Sequence, residues 1–215
     1  MTHALNAVYY VNMNSHKTTM IPKKSTRIRK EEIVRAAFDV VGKKGVRALT
    51  IAAIAESAGM SEANIYRHFG GKDEIFSALA EFIGTSVMGK AAAIAGGSKK
   101  PLEKLETIFF SHMSIVADYP GIPRFVFSED AHLGDPNLAR TLALRIGNYV
   151  ETLSGVIAAG IDEGELKPDL SPRETALTLL GMIQFTALRW TINGASFDIR
   201  GEARKLWSNF LRLVR

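Results

Sequence analysis

The chain of 215 residues contains no cysteine. Disulfide bonds, thiolate zinc sites and a cysteine nucleophile are therefore excluded, and the composition fits a reducing compartment, so we expect a cytoplasmic protein. Long apolar runs are also missing, since the longest, near residues 175–188, is too short to cross a bilayer. The apolar segment at residues 8–11 has no basic region ahead of it, so we do not expect a secretory signal.

The motifs that would anchor an enzymatic interpretation are absent as well. The sequence contains no Gly-x-Ser-x-Gly, no Walker phosphate loop, no Gly-x-Gly-x-x-Gly and no paired-histidine zinc motif. His112 and His132, with Asp118, Glu129 and Asp130, lack the spacing of metal ligands, so ordinary polar roles are favoured. We predict no catalytic residue, metal or cofactor. An all-α enzyme that carries an incidental DNA-binding motif stays a less favoured alternative.

The most informative pattern lies between Thr50 and Lys72. Thr50 and Ser61 are each suited to accept an early backbone N–H of a helix, and Gly59 can take the left-handed conformation that ends the first of two short helices. On the second helix Ile65 and Phe69 form one apolar face, which leaves the opposite face polar. Two short helices joined by a tight turn indicate a helix-turn-helix, whose second helix enters the DNA major groove.

Net charge is placed unevenly along the chain. The first 97 residues hold 13 of the 27 Lys and Arg residues but only 8 of the 22 Asp and Glu residues, so the formal charge of +5 falls on this part alone. A solvated charged face is one interpretation. Beside a helix-turn-helix, the basic residues Lys23, Lys24, Arg27, Arg29 and Lys30 favour attraction to DNA phosphates instead.

The same segment closely resembles the DNA-binding signature of the tetracycline-repressor (TetR) family of bacterial transcriptional regulators. Ten residues fall on the family pattern in register: Thr50, Ile54, Ala55, Ala58, Gly59, Ser61, Tyr66, His68, Phe69 and Lys72. Met60 replaces the usual Val, and Phe76 stands where Leu is common. The resemblance covers about the first third of the chain. It implies a regulator that binds double-stranded operator DNA.

The resemblance and the position of the polar residues together predict the DNA contacts. We expect Thr50, Tyr66 and Lys72 to hold phosphates, and Ala63 and Asn64 to face base edges. The full predicted DNA-binding set is Arg27, Lys30, Thr50, Ser61, Glu62, Ala63, Asn64, Tyr66, Arg67, His68 and Lys72.

Helix start and stop signals continue to the C-terminus without any β alternation. Proline at residues 101, 123, 136 and 172 is placed as in the first turn of a helix, with the helix after Pro123 ending near Ala131. We predict an all-α protein of about nine helices with an N-terminal three-helix helix-turn-helix domain. The predicted divisions are a flexible tail at 1–24, the DNA-binding domain at 25–72, and a helical ligand-binding and dimerisation domain at 73–215.

The helix from Pro172 to Thr191 is apolar on most of its circumference, so both of its sides need cover. A second copy of the chain is the economical cover, and the resemblance favours a four-helix bundle across a two-fold axis. We therefore expect a homodimer, with Leu180 and Phe185 facing outward. A central helix of a monomer is the alternative.

The C-terminal part also holds many aromatic and methionine residues. Most of them are expected in the core, but some can line a pocket for a small apolar effector, with His112 and Tyr149 as polar groups. The predicted lining is Phe109, His112, Met113, Phe127, Tyr149, Leu153, Met182 and Phe185. The resulting prediction is a repressor that the effector releases from a palindromic operator. A DNA-binding dimer without a ligand, and an activator, stay open.

Overall fold

The computed structural model describes residues 25–129 and 136–215, and this part of the chain forms nine α-helices and no strand. The helices are α1 Thr26–Lys44, α2 Ile51–Ala58, α3 Glu62–Tyr66, α4 Lys72–Ala95, α5 Pro101–Asp118, α6 Gly121–Val126, α7 Pro136–Asp162, α8 Pro172–Ile192 and α9 Ile199–Val214. The all-α prediction is confirmed. The predicted tail at 1–24, with Lys23 and Lys24, lies outside the described residues, as do Asp130 and His132.

The first three helices form the predicted helix-turn-helix, and its local signals are confirmed. The Thr50 hydroxyl accepts the N–H of Ala53 at 3.1 Å, and the Ser61 hydroxyl accepts that of Asn64 at 3.3 Å. Gly59 ends α2 with φ of 62°. Since both short helices begin with a capped first turn and α2 ends in a left-handed glycine, their directions are set locally.

Helix α4 joins the two parts of the molecule. Its first half packs on α1 through the buried Ile75 and Leu79, and residues 84–89 form a π-helical segment that packs against α5 and α7. By length and composition alone α4 could cross a membrane. Ile83 and Val87 are also buried inside the molecule, so the helix packs against its neighbours along both of its halves.

The remaining helices build a bundle in which α7 and α8 form the most extensive pair. Helix α5 packs between α7 and α9, where Phe109 stacks near Trp207 with ring centroids 5.4 Å apart. The helix predicted to begin at Pro123 begins at Gly121 instead and ends at Val126. The earlier start follows from the turn after Tyr119, whose carbonyl accepts the N–H of Ile122 at 3.0 Å.

One of the two residues of α8 that were predicted to face outward, Leu180, faces inward instead. Leu180 is only 4% exposed, because its position on the helix is on the same side as Ile183 and Ala187, which face the bundle. Phe185 is 67% exposed, and Leu177 and Ile192 lie exposed on the same outer side. An apolar stripe therefore remains uncovered on α8.

Candidate DNA-binding surface and effector cavity

Helix α3 presents its polar face outward. Glu62, Ala63, Tyr66 and Arg67 are exposed, and Tyr66 is 55% exposed in spite of its size. Ile65 is fully buried, so it anchors the helix to the core. A short helix that is held from beneath and offers one polar face has the form needed to enter a major groove.

Asn64 and His68 lie at the edge of this face and are half-buried. The backbone N–H of Asn64 bonds the Ser61 hydroxyl, which leaves the side-chain amide of Asn64 to hydrogen-bond elsewhere. The Nδ1 atom of His68 is buried without a hydrogen-bond partner among the described residues. That nitrogen faces the protein interior and not the exposed surface.

The turn from α3 to α4 is held by Glu74. Its carboxylate accepts the backbone N–H of Gly70 at 2.7 Å and lies 3.5 Å from Nζ of Lys30. The hydrogen bond from Gly70 and the nearby Lys30 hold the pKa of Glu74 below its ordinary value. Lys72, at the start of α4, is exposed, and its Nζ lies 5.2 Å from the ring centre of Phe76. This arrangement places a cation at a helix N-terminus. Both the positive charge of Lys72 and the free backbone N–H groups of the first helical turn favour a bound phosphate.

The basic residues of α1 already have acidic neighbours. Arg27 pairs with Glu31 at 2.7 Å, and Arg29 pairs with Glu32 at 2.9 Å. The Arg27–Glu31 pair is exposed, so it contributes little to stability and a DNA phosphate can replace the carboxylate at small cost. The Arg29–Glu32 pair is half-buried, so of the two it is the less readily exchanged.

A cavity lies inside the C-terminal bundle, with a water-accessible volume of about 50 Å³. Five helices line it: α4 with Ile83, Val87 and Met88, α5 with His112 and Val116, α6 with Ile122, Pro123, Val126 and the adjoining Phe127, α7 with Leu142, Ile146 and Tyr149, and α8 with Leu180, Ile183, Gln184 and Ala187. None of these lining residues is charged. The walls therefore suit an uncharged, apolar guest.

Two polar groups meet inside the cavity wall. Nδ1 of His112 lies 3.2 Å from the hydroxyl of Tyr149. Burial lowers the pKa of His112 to about 4 and raises the pKa of Tyr149, because both charged forms would lose their hydration. Both side chains are therefore neutral at pH 7. A neutral pair of this kind can hydrogen-bond a carbonyl or hydroxyl group of a guest, but it cannot neutralise an ion.

The structure brings three of the eight predicted pocket residues together: His112, Phe127 and Tyr149 all line the cavity. Phe109, Met113 and Leu153 are fully buried but do not line it. Phe109 packs against Trp207 of α9, with ring centroids 5.4 Å apart.

The two predicted pocket residues of α8 also lie elsewhere. Met182 is half-buried at the edge of the core, and Phe185 faces outward. The spacing of residues on α7 indicates part of the cavity lining, although the amino-acid composition does not. Leu142, Ile146 and Tyr149 recur at i, i+4 and i+7 on α7, and this spacing places all three on one face.

The cavity wall contacts the DNA-binding helices directly. Helix α6 packs on α1 so closely that a Cβ at Gly121 would overlap the backbone carbonyl of Phe38. Tyr119, just before α6, accepts a hydrogen bond from Arg35 of α1 at 2.6 Å. Any displacement of α6 away from the cavity must therefore move against α1 or carry α1 with it.

A second tie joins the cavity wall to α4. On α7, Arg145 lies next to the lining residue Ile146, and its guanidinium donates to the carbonyl of Ala80 at 2.6 Å and to the carboxylate of Glu81. The backbone of Gly84 leaves room for this guanidinium, because a Cβ there would overlap it. Helix α7 is thus attached to α4 just before the π-helical segment.

Comparison with known proteins decides what this architecture is. Residues 33–79 match the family described as bacterial regulatory proteins, tetR family, and residues 98–212 match the tetracyclin repressor-like C-terminal domain. The chain belongs to the TetR family. It is a DNA-binding transcriptional regulator, and the resemblance drawn from Thr50–Lys72 is confirmed.

Two relatives share sequence with much of the chain. The nucleoid occlusion factor SlmA of Marinobacter nauticus is 30% identical over 150 residues, which cover 69% of this chain and 74% of the relative. The fatty acid metabolism regulator protein of Bacillus subtilis is 26% identical over 179 residues, which cover 82% and 90%.

Solved structures of other proteins have the same fold as this chain. The fatty acid degradation regulator FadR from Bacillus halodurans superposes with a TM-score of 0.71 at 18% identity, covering 88% of this chain and 96% of that one. FadR from Bacillus subtilis, in complex with stearoyl-CoA, gives a TM-score of 0.67 at 22% identity, covering 84% and 97%.

Proposed function

We propose that this TetR-family regulator is a cytoplasmic, homodimeric repressor that leaves a palindromic operator when an acyl-chain effector enters the cavity between α4 and α8. In this role the protein is not an enzyme and needs no membrane. The observation that carries the proposal is an uncharged cavity whose walls include both helices that hold the DNA-binding domain, α4 and α6.

The size of the cavity supports a coupled opening. Pockets for drug-sized ligands hold roughly 300–1,000 Å³, whereas about 50 Å³ is open to water here. An acyl chain can enter only if the walls separate, so it binds an open conformer more tightly than the closed one. Such differential affinity is what a ligand needs in order to shift a conformational equilibrium.

The effector class follows from the chemistry of the walls. Apart from the amide of Gln184, apolar side chains surround one neutral polar pair, His112 and Tyr149, which suits a long hydrocarbon with a carbonyl group. The relative from Bacillus subtilis is named a fatty acid metabolism regulator, and its structural counterpart binds stearoyl-CoA. These names favour a fatty acyl thioester over other apolar effectors.

The homodimer is supported by the uncovered stripe on α8. Leu177, Phe185 and Ile192 are exposed along that helix, and Leu213 is exposed on the neighbouring α9. Exposed apolar side chains aligned over two adjacent helices mark an interaction surface. Pairing of two copies about a two-fold axis would relate their recognition helices by the same symmetry that a palindromic operator has.

The proposal is tested by filling the cavity. Ala187→Leu adds bulk to the cavity wall, so we expect weaker stearoyl-CoA binding by calorimetry. Ala158→Leu, at a half-buried position of α7 outside the lining, is the matched control. If Ala187→Leu folds normally and binds stearoyl-CoA as tightly as the wild type, the cavity is not the effector site.

A second candidate function is a DNA-binding dimer without an effector. The small volume of the cavity favours it, and so does the relative named as a nucleoid occlusion factor. In that case neither stearoyl-CoA nor any other acyl compound would bind the wild-type protein, and operator affinity would be independent of acyl compounds.

A further inference from the structure

A basic groove lies beside the effector cavity, between the end of α1, helix α6 and the end of α8. It has a volume of about 490 Å³ and is open to solvent in the single chain, and its α8 side includes Ile192, the end of the exposed stripe proposed to pair two copies. Among the residues that the structure describes, three cations line it, Lys44, Arg47 and Arg124, and no acidic residue does. The groove is therefore a positively charged site whose walls come from both the DNA-binding domain and the C-terminal domain.

The groove and the cavity share a wall. Pro123 and Phe127 line both, and the Phe127 side chain is 43% exposed. Phe127 is exposed, whereas the other described lining residues are buried or half-buried, so a rotation of its side chain is a local way to open the cavity. The boundary at Phe127 is thus the natural point of entry from the charged groove into the apolar cavity.

The cavity itself cannot accept the charged end of an amphiphile. None of the described residues that line it is a cation, and His112 is neutral, so a buried carboxylate or phosphate would lose hydration without a compensating partner. An amphiphile that places its chain in the cavity must leave its anionic end outside. The adjoining groove offers the guanidinium group of Arg124, and a guanidinium can bind two phosphate oxygens at once.

We propose that the basic groove binds the phosphate-bearing head group of the acyl thioester whose chain fills the cavity. The inference rests on the proposed function and adds the head-group site to it. Arg124 lies on α6, while Lys44 and Arg47 belong to the DNA-binding domain, so one ligand contacts both domains. Nζ of Lys44 lies 4.0 Å from the carboxylate of Glu56, and this exposed pair is one that a phosphate can replace.

The test compares two probes with the same chain and thioester. Stearoyl-CoA carries phosphates, whereas S-stearoyl-pantetheine carries none. Binding of both is measured by calorimetry to the full chain and to Arg124→Gln and Lys44→Gln. Arg173→Gln is the matched control, since Arg173 is exposed at the opposite end of α8.

We expect stearoyl-CoA to bind the wild type about tenfold or more tightly than S-stearoyl-pantetheine at low salt, as charge-assisted hydrogen bonds to phosphate would give. Arg124→Gln and Lys44→Gln should each reduce that difference, and Arg173→Gln should leave it unchanged. Rising salt should weaken stearoyl-CoA binding more than that of S-stearoyl-pantetheine.

The remaining outcomes would overturn the inference in distinguishable ways. Equal binding of both probes, unaffected by Arg124→Gln or Lys44→Gln, removes the head-group site and leaves the proposed function standing. A loss of operator affinity in ligand-free Arg124→Gln would assign the groove to the DNA backbone instead. If neither probe binds the wild type, the proposed function fails together with the head-group site.

Discussion

The backbone of Gly121 packs against the backbone of Phe38 with no space for a side chain between them. A Cβ at Gly121 would overlap the Phe38 carbonyl oxygen and would lie 3.1 Å from the backbone nitrogen of Gly42. Because these atoms belong to the main chain of α1, they cannot rotate away as a side chain could. The contact fixes the distance between the effector-domain helix α6 and the DNA-binding domain.

The substitution Gly121→Ala should therefore separate α6 from α1. We expect a loss of about 1–3 kcal/mol in the free energy of unfolding, as overpacked sites show, together with weaker operator binding. Gly155→Ala is the control, since a Cβ there meets nothing within 4 Å and alanine favours the α7 helix. Urea unfolding of both variants checks this prediction, which fails if Gly121→Ala is as stable as Gly155→Ala.

The guanidinium of Arg145 should transmit cavity opening to α4. Replacing it by Met removes the hydrogen bonds to the Ala80 carbonyl and the Glu81 carboxylate while keeping an unbranched side chain. Stearoyl-CoA should still bind, but its effect on operator affinity should shrink by about 0.5–2 kcal/mol. Operator titrations of Arg145→Met with and without stearoyl-CoA measure this change. An unaltered ligand effect would show that α4 is moved by another contact.

The two kinds of DNA contact can be separated by their dependence on sequence and salt. Lys72→Ala should weaken binding to all DNA sequences alike and lower the salt slope by about 1, because it removes one phosphate contact. Asn64→Ala should instead change the preference at one base pair, at a cost of about 1–3 kcal/mol. The measurement is the affinity of each protein variant for a panel of operator sequences. If Asn64→Ala ranks these sequences in the same order as the wild type, Asn64 makes no base contact.

Sequence reasoning was most reliable where structure depends on neighbours along the chain. Thr50, Gly59 and Ser61 were identified correctly because a cap or a left-handed turn depends on only a few adjacent residues. The face that a helix turns inward is set by distant packing partners. For this reason Leu180 was expected outside and lies inside, and Phe185 was expected both in the pocket and on the outer face.

The cavity and the groove depend on contacts across long stretches of chain. Lys44 and Arg124 line one groove although 80 positions separate them, and no local pattern pairs them. Composition indicated a pocket with aromatic and methionine walls, whereas the walls are mostly aliphatic. His112 and Tyr149 were predicted from their polarity among apolar neighbours, and they meet at 3.2 Å.

Burial of neutral His112 should make the fold sensitive to acid. Its pKa falls from 6.5 to about 4 on folding, so the unfolded chain binds the additional proton between these values and stability is lost as pH falls. At pH 5 this costs about 2 kcal/mol, and at pH 7.5 almost nothing. The variant His112→Phe should lose less stability than the wild type between pH 7.5 and pH 5 in urea unfolding.

The control for this pH effect is Tyr149→Phe, which keeps His112 buried and should keep the wild-type dependence. If His112→Phe and the wild type lose equal stability over this range, the acid sensitivity comes from other groups.

The exposed stripe on α8 should hold two copies together. Phe185→Glu places a charge at its centre, so dimers should dissociate because an unpaired carboxylate would be buried between the copies. Ser77→Glu, at an exposed position of α4, should leave the assembly unchanged. Sedimentation velocity measures both variants. A wild-type protein that sediments as a monomer at micromolar concentration would contradict the dimer.

The central claim is that an acyl thioester in the cavity lowers operator affinity. It is tested most directly by titrating a DNA fragment, selected from a random library with the purified protein, in the absence and presence of saturating stearoyl-CoA. We predict a loss of affinity of about 5- to 150-fold, and by linkage the same loss of stearoyl-CoA affinity when the operator is bound. An operator isotherm that is identical with and without stearoyl-CoA would contradict the account.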